Sequence, residues 1–199
     1  MFELFIKGGP LMYPILLCSI LALAIFAERI WLFRRIGRGS EKLLRDVESL
    51  AIKKRHDEAV RLCQQIDTPL SRVFLAALRS AGRSREHIKT LVEEVGTRES
   101  AILERYLGLL GTIATISPLL GLLGTVLGMI EAFNVIAEVG VGTPATLGGG
   151  ISQALITTAA GMSVAIPAIL LHRYLTSRAD RLQLEMEEYS LHITDLLGD

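Results

Sequence analysis

The sequence predicts an all-α membrane protein with three transmembrane helices and long cytoplasmic helical extensions. Half of the 199 residues are hydrophobic and 21% are charged, and the two kinds are segregated along the chain. Three uncharged apolar blocks approach or exceed the roughly 20 residues that span a bilayer core. Between and after them lie charged segments whose apolar residues recur at helical spacing.

The first apolar block runs from Leu11 to Ala27, so residues 1–33 are predicted to form an N-terminal segment and the first transmembrane helix. The alternative is a cleaved signal peptide, because Ala22-Leu23-Ala24 resembles a cleavage site. One basic residue precedes the block, whereas Arg29, Arg34, Arg35 and Arg38 follow it. This order favours a retained helix.

Residues 34–105 are predicted to form a helical domain. Its first helix carries an apolar stripe of residues three and four apart: Leu43, Leu44, Val47, Leu50 and Ala51. Thr68-Pro69 is typical of a helix start and Gly82 of a helix end. The next helix is predicted to begin after Ser84 and to continue without a break into the second transmembrane helix.

The rest of the chain is predicted to be a helical hairpin with a helical tail. Residues 106–137 form the second transmembrane helix, 138–147 a short loop, 148–174 the third transmembrane helix and 175–199 a C-terminal helix. The tail has an apolar side, formed by Leu182, Met186, Tyr189, Ile193 and Leu197. Ordinary helix packing is sufficient to explain this side and the stripe in the domain.

Basic residues predict the orientation. Arginines follow the first and third helices, and the loop between the second and third contains no Lys or Arg. By the positive-inside rule, the N-terminus and this loop face outward, and residues 34–105 and the C-terminal tail are cytoplasmic.

The sequence argues against an enzyme. It lacks the HExxH, GxSxG and GxxxxGK[ST] patterns of metal, nucleophile and phosphate sites, so no catalytic residue, metal or cofactor is expected. The zero net charge gives no indication of nucleic-acid binding. Cys18 and Cys63 are not expected to form a disulfide. The four histidines, which are His56, His87, His172 and His192, are predicted to be solvated or interfacial.

Polar and small residues in the second and third transmembrane helices are the candidate site. Gly121, Thr125 and Gly128 share one helix face, and Thr158, Gly161 and Ala165 share another. Small faces permit close helix packing in a bilayer, and Pro118 and Pro167 need neighbours or water for the carbonyls they free. Each threonine hydroxyl either bonds its own backbone or faces a lumen between several copies of the chain. Such a lumen would need a titratable group from elsewhere to carry ions.

The segments SPLLGLLGTVLGMIEAF and GGGISQALITTAAGMSVAIPAILLHRY strongly resemble the MotA/TolQ/ExbB proton-channel family, most closely its ExbB-like branch. The resemblance covers the whole chain. It implies a multi-pass protein of the bacterial inner membrane, with a periplasmic N-terminus and loop. It also implies a homo-oligomeric, pentameric bundle around two single-span partners of the ExbD, TolR or MotB type. A partner aspartate in the pore carries the proton, and the proton motive force drives work such as TonB-dependent outer-membrane transport, with a TonB-like protein as a further partner.

Carried over to this chain, the resemblance makes Thr125 and Thr158 pore-lining residues. Pro118 and Pro167 are the helix-shaping prolines, and the glycines of the same helices, Gly121, Gly128 and Gly161, allow close packing. Where many relatives have a glutamate, this chain has Gln153, which cannot titrate, so a pore-margin role there is in doubt. Glu131 is the other pore-margin candidate. The alternative function is a non-conducting membrane scaffold for a single-span partner.

Overall fold

The structure is a computed structural model that describes residues 2–37, 39–140 and 144–198. Arg38 and residues 141–143 of the predicted loop lie outside the described residues. The described part is helical and contains no strand. Its helices are α1 (Phe2–Lys7), α2 (Met12–Gly37), α3 (Ser40–Ile52), α4 (His56–Gln65), α5 (Pro69–Arg79), α6 (Arg85–Glu104), α7 (Leu107–Val139) and α8 (Pro144–Leu197).

The chain divides into two compact units. One, here called the apolar unit, contains α1, α2 as far as Ala27, and the stretch Tyr106–Tyr174. The other, the polar unit, contains Glu28–Arg105 and α8 from Leu175 onward. Three helical stretches in the described residues are long and apolar enough to cross a membrane, judged by length and composition. They correspond to the three predicted spans, while the assignment of segments to the two sides of the membrane stays a prediction.

The polar unit is built around one hydrophobic core. Its helices α3 to α6 pack in sequence order, and the C-terminal part of α8 contributes Met186, Ile193 and Leu197 to the same core. The predicted stripe of α3 is confirmed, because Leu43, Val47 and Ala51 are buried and Leu44 and Leu50 pack against the core. Apolar spacing in a charged segment therefore located both sides of this core.

The predicted start of α5 is confirmed in detail. The Thr68 hydroxyl accepts a hydrogen bond from the Ser71 backbone N–H, and the Ser71 hydroxyl accepts one from the Thr68 N–H. Pro69 occupies the first helical position, where a missing N–H costs nothing. Helix α5 ends at Arg79, and Gly82 follows with φ +81°, a conformation in which glycine is unstrained.

The expected continuous helix from Ser84 into the second transmembrane span is wrong. Helix α6 ends at Glu104 and α7 begins at Leu107. Between them Tyr106 has φ +66°, in the left-handed region, which interrupts the helical hydrogen-bond ladder. Apolar periodicity runs through this break, and neither glycine nor proline marks it.

In the apolar unit, α7 and α8 form an antiparallel pair. Their contacts join Ser117 to Gly161, Gly121 to Thr158 and Gly128 to Gly150, so residue numbers fall along α8 as they rise along α7. Helix α8 begins at Pro144, whereas the sequence placed the start of the third transmembrane helix at residue 148. Proline suits the first turn of a helix because its missing N–H would be unsatisfied there anyway. From there α8 continues to Leu197.

Candidate functional site

Glycines let the backbones of α7 and α8 approach closely. A Cβ atom placed on Gly121 would lie 3.0 Å from the Thr158 Cα, and one on Gly161 would lie 2.6 Å from the Ser117 carbonyl oxygen. A Cβ on Gly128 would lie 2.7 Å from the carbonyl oxygen of Gly150. Because backbone atoms cannot move aside as a flexible side chain can, these three positions hold the two helices at a distance that only glycine permits.

Thr158 joins the two helices by a hydrogen bond. Its half-buried hydroxyl donates to the carbonyl oxygen of Gly121, 3.0 Å away on α7. Without Thr158, the Gly121 carbonyl would accept hydrogen bonds only from its own helix. The Thr158 side chain is therefore fixed at the seam of the pair, with its lone pairs available to water or to another group.

Thr125 bonds within its own helix. Its half-buried hydroxyl donates to the carbonyl oxygen of Leu122, 2.6 Å away. This is the local arrangement that threonine commonly adopts in membrane helices. The hydroxyl oxygen can still accept a hydrogen bond. Thr125 therefore donates within its own helix and Thr158 to the neighbouring one, but both hydroxyls can accept a hydrogen bond from another group.

Thr125 and Thr158 lie on the same side of the helix pair. Gly124 faces Thr157, because a Cβ on Gly124 would lie 2.4 Å from the Thr157 Cγ2. The next residue of each helix is turned by about 100°. Since the helices are antiparallel, these two turns bring Thr125 and Thr158 to one common side, away from Thr157.

Thr157, which faces Gly124 in the contact between the helices, is a residue that sequence reasoning did not single out. Its side chain is 1% exposed, and its hydroxyl lies 2.8 Å from the carbonyl oxygens of both Gly8 and Gln153. One hydroxyl proton serves one of these acceptors at a time. The bond to Gly8 ties α8 to the segment between α1 and α2. The signal available in the sequence was only the adjacent Thr157-Thr158 pair.

The two predicted pore-margin residues lie away from the threonines. Gln153 is half-buried beside the N-terminal segment, where a Cβ on Gly9 would lie 2.3 Å from its Nε2 atom. Glu131 is exposed on α7, about 120° around the helix from Thr125 at 100° per residue. The structure thus brings Thr125 and Thr158 together and brings neither Gln153 nor Glu131 to them.

The two predicted helix-shaping prolines lie inside their helices. Pro118 is half-buried in α7, one residue after the buried Ser117, and Pro167 is exposed in α8. Each proline removes one backbone hydrogen bond from its helix. The Ser117 hydroxyl donates to the Ile113 carbonyl oxygen at 2.7 Å, whereas the carbonyl that Pro118 leaves without its helical donor is that of Ala114.

Among the described residues, no group of three or more His, Cys, Asp or Glu side chains is arranged to hold a metal ion. The arrangement that the apolar unit does offer is a pair of hydroxyls beside a glycine-lined helix contact. Such a surface can order water and hydrogen-bond a carboxyl group without presenting a competing charge.

Comparisons with known proteins all identify the same family. Residues 65–188 match the sequence pattern of the MotA/TolQ/ExbB proton channel family. The chain is 40% identical over 178 residues to the ExbB-like biopolymer transport protein 1 of Synechocystis, covering 87% of this chain and 69% of that protein. It is 36% identical over 166 residues to ExbB-like protein 3 of the same organism, covering 82% and 79%. With the biopolymer transport protein exbB1 of Vibrio cholerae it shares 32% identity over 186 residues, covering 90% and 80%.

Proposed function

The chain belongs to the MotA/TolQ/ExbB proton channel family, in its ExbB-like branch, and we infer its function from this membership. It is a multi-pass membrane subunit of the proton-channel type. We propose that, in the bacterial inner membrane, it couples the proton motive force to work such as TonB-dependent outer-membrane transport. This proposal is supported by its relatives, which are named biopolymer transport proteins.

The observation that carries the proposal is the common side of α7 and α8 that holds Thr125 and Thr158. The helices are locked together by glycines behind this side, and the Thr158 hydroxyl bonds across to Gly121. Hydroxyls placed in this way can hydrogen-bond a carboxyl group in either protonation state. A proton path along them needs a carboxylate from another chain, because neither helix contributes one on this side.

The partner that fits is a single-span protein of the ExbD or TolR type with an aspartate in its span. Several copies of the chain, five in our proposal, enclose the partner's helices with their threonine sides, and a TonB-like protein receives the resulting movement. The N-terminus and the α7–α8 connection are periplasmic, and the polar unit and C-terminus are cytoplasmic, as the distribution of arginines indicates.

In this proposal the chain is not an enzyme and needs no cofactor. The buried thiol of the polar unit is consistent with this: burial raises the pKa of Cys63 to about 11, which disfavours the thiolate that a nucleophile requires. The second candidate function, a scaffold that assembles the partner without conducting ions, is supported by the same close helix contact. Proton flux distinguishes the two.

The test uses the chain co-purified with its native single-span partner and reconstituted in vesicles. We expect Thr158→Val and Thr125→Val to leave the complex assembled and to lower proton flux severalfold. Interhelical hydrogen bonds in membrane proteins contribute only about 0.6 kcal/mol on average, so loss of the Thr158 bond alone does not dismantle the complex. Thr158→Ser keeps the hydroxyl and should retain most of the flux.

Ser163→Ala is the matched control. It removes a hydroxyl from the same helix, at an exposed position where the side chain donates to its own backbone at Ala159. Its flux should equal that of the unmodified complex. Assembled Thr125→Val and Thr158→Val complexes with unchanged flux would contradict the pore role, and a partner-bound complex without any flux would favour the scaffold.

A further inference from the structure

A second polar group lies on the α7–α8 pair, in a cleft of about 560 Å³. The glycines and polar residues that line it are Gly108, Gly111, Thr112, Thr115, His172 and Arg173. His172 lies 14 residues beyond Thr158 on α8, which is about 21 Å along a helix that rises 1.5 Å per residue. The cleft is therefore at the end of the pair from which α8 continues toward its C-terminus.

The His172 imidazole lies directly against the backbone of α7. A Cβ placed on Gly111 would be 3.0 Å from the ring Nε2 and 3.4 Å from both Cδ2 and Cε1, so the ring occupies the space that a larger residue would need. Gly108, one turn earlier, has nothing within 4 Å of its Cβ position. Gly111 thus has a specific steric role: it makes room for the imidazole.

The cleft lies on the same side of the pair as the two pore threonines. Gly111 and Thr125 are 14 residues apart on α7, and Thr158 and His172 are 14 residues apart on α8. At 100° per residue this spacing is about 40° short of four full turns, so each helix presents both members of its pair on nearly the same side. The imidazole therefore lies on the threonine side of the pair, displaced along it toward the C-terminal part of α8.

Resting on the proposed function, we propose that His172 exchanges the transported proton with the cytoplasm at this end of the path. A hydronium arriving from the pore gives up a proton, its O–H bond breaking as an N–H bond forms on the neutral ring. The imidazolium then releases a proton to cytoplasmic water and returns to the neutral state. Histidine suits this step because its charge ordinarily changes between about pH 5 and pH 8.

The lining of the cleft around the ring is largely uncharged. Arg173 is the charged residue among those lining the cleft, and the residues that α7 contributes to it are uncharged. These lining residues include no carboxylate. Thr112 and Thr115 donate their hydroxyl protons to their own backbone, to Gly108 and Gly111, and their oxygens remain able to accept hydrogen bonds from water in the cleft.

The experiment measures proton flux through the partner-bound complex in vesicles while pH on the C-terminal side is varied between about 5 and 8. The membrane potential is adjusted at each pH so that the total proton motive force stays constant. In the unmodified complex, flux should rise severalfold across this interval, because a ring that is already protonated cannot accept the next proton. His172→Gln should show a severalfold lower flux at the upper end and little dependence on this pH. His172→Asn should behave in the same way, and it replaces the glutamine variant in the experiment if that variant does not assemble.

His192→Gln is the matched histidine control, since His192 lies on the same helix in the polar unit, exposed and 3.1 Å from Glu48. It should keep the pH profile of the unmodified complex. Gly111→Ala should displace the ring and weaken the pH dependence. A lower flux with an unchanged pH profile in His172→Gln would show a merely structural role and overturn the proposal, as would unchanged flux. Absence of flux in the unmodified complex would overturn the proposed function as well.

Discussion

At Lys54 the chain leaves α3 in a conformation that glycine adopts more easily. The Arg55 N–H donates to the Leu50 carbonyl and the Lys54 N–H to the Ala51 carbonyl, each at 2.9 Å, which is the hydrogen-bond pattern of a Schellman motif. Lys54 has φ +56°, in the left-handed region. Because the side chain is strained there and glycine is not, we expect Lys54→Gly to stabilise the protein by about 1 kcal/mol.

The measurement is the thermal unfolding midpoint of the purified full chain in detergent. Lys53→Gly is the neighbouring control, since Lys53 has φ −77° and relieves no strain when replaced. It should be neutral or destabilising, because glycine loses more conformational freedom on folding. An equal effect of both substitutions would contradict the assignment of strain to Lys54.

Single residues also show what the sequence does not determine. The sequence placed Thr125 and Thr158 on candidate faces and left two partners open for each hydroxyl. The structure separates them, because Thr125 donates to Leu122 in its own helix and Thr158 donates to Gly121 on the neighbouring one. Which acceptor lies nearer depends on the register of two helices, and periodicity within one helix carries no information about that register.

At the level of the helices, the contact between α7 and α8 leaves no room for a side chain at Gly161. A Cβ on Gly161 would lie 2.6 Å from the Ser117 carbonyl oxygen and 3.1 Å from the Gly121 Cα. Both atoms belong to the backbone of α7, so the helices would have to separate. Overpacking of this kind typically costs about 1–3 kcal/mol, and we expect Gly161→Ala to lower the thermal unfolding midpoint accordingly.

Gly108→Ala controls for the change in helix propensity, because its Cβ position is open. That substitution should leave the midpoint unchanged or raise it, since alanine favours helix over glycine by up to about 1 kcal/mol. If both alanine variants unfolded at the same temperature, close packing at Gly161 would not be holding the two helices together.

The helices themselves were largely predictable, and their interruptions were not. Apolar blocks predicted the three spans, and Thr68-Pro69 located the start of α5, because local chemistry decides both features. The break at Tyr106 and the short helix α1 were not predicted. Both occur within or beside apolar sequence that would also suit a continuous helix or an extended end, so tertiary packing decides between the alternatives.

For the molecule as a whole, the membrane class and the family could be predicted from the sequence, whereas the number of copies in the assembly could not. The side of the α7–α8 pair that holds the threonines also exposes large apolar residues, with Leu122 58%, Leu155 64% and Ile166 60% accessible. In a bilayer, lipid can cover such residues as well as protein can, so exposure alone does not fix the number of copies. The polar residues between them, Thr125 and Thr158, are better satisfied by water or a partner than by lipid.

We therefore expect the complex extracted with its native partner to contain several copies of this 21.8 kDa chain, five in our proposal, around two copies of a single-span protein. Native mass measurement of the intact complex determines both numbers at once. Replacing Leu155 with glutamate should lower the copy number, because a carboxylate on the enclosed side of each chain would repel its counterparts. Leu184→Glu is the control, since Leu184 is similarly exposed at 66% but lies in the polar unit, where a charge is solvated. A single chain bound to its partner would contradict an enclosed path, because two helices from one chain cannot surround another.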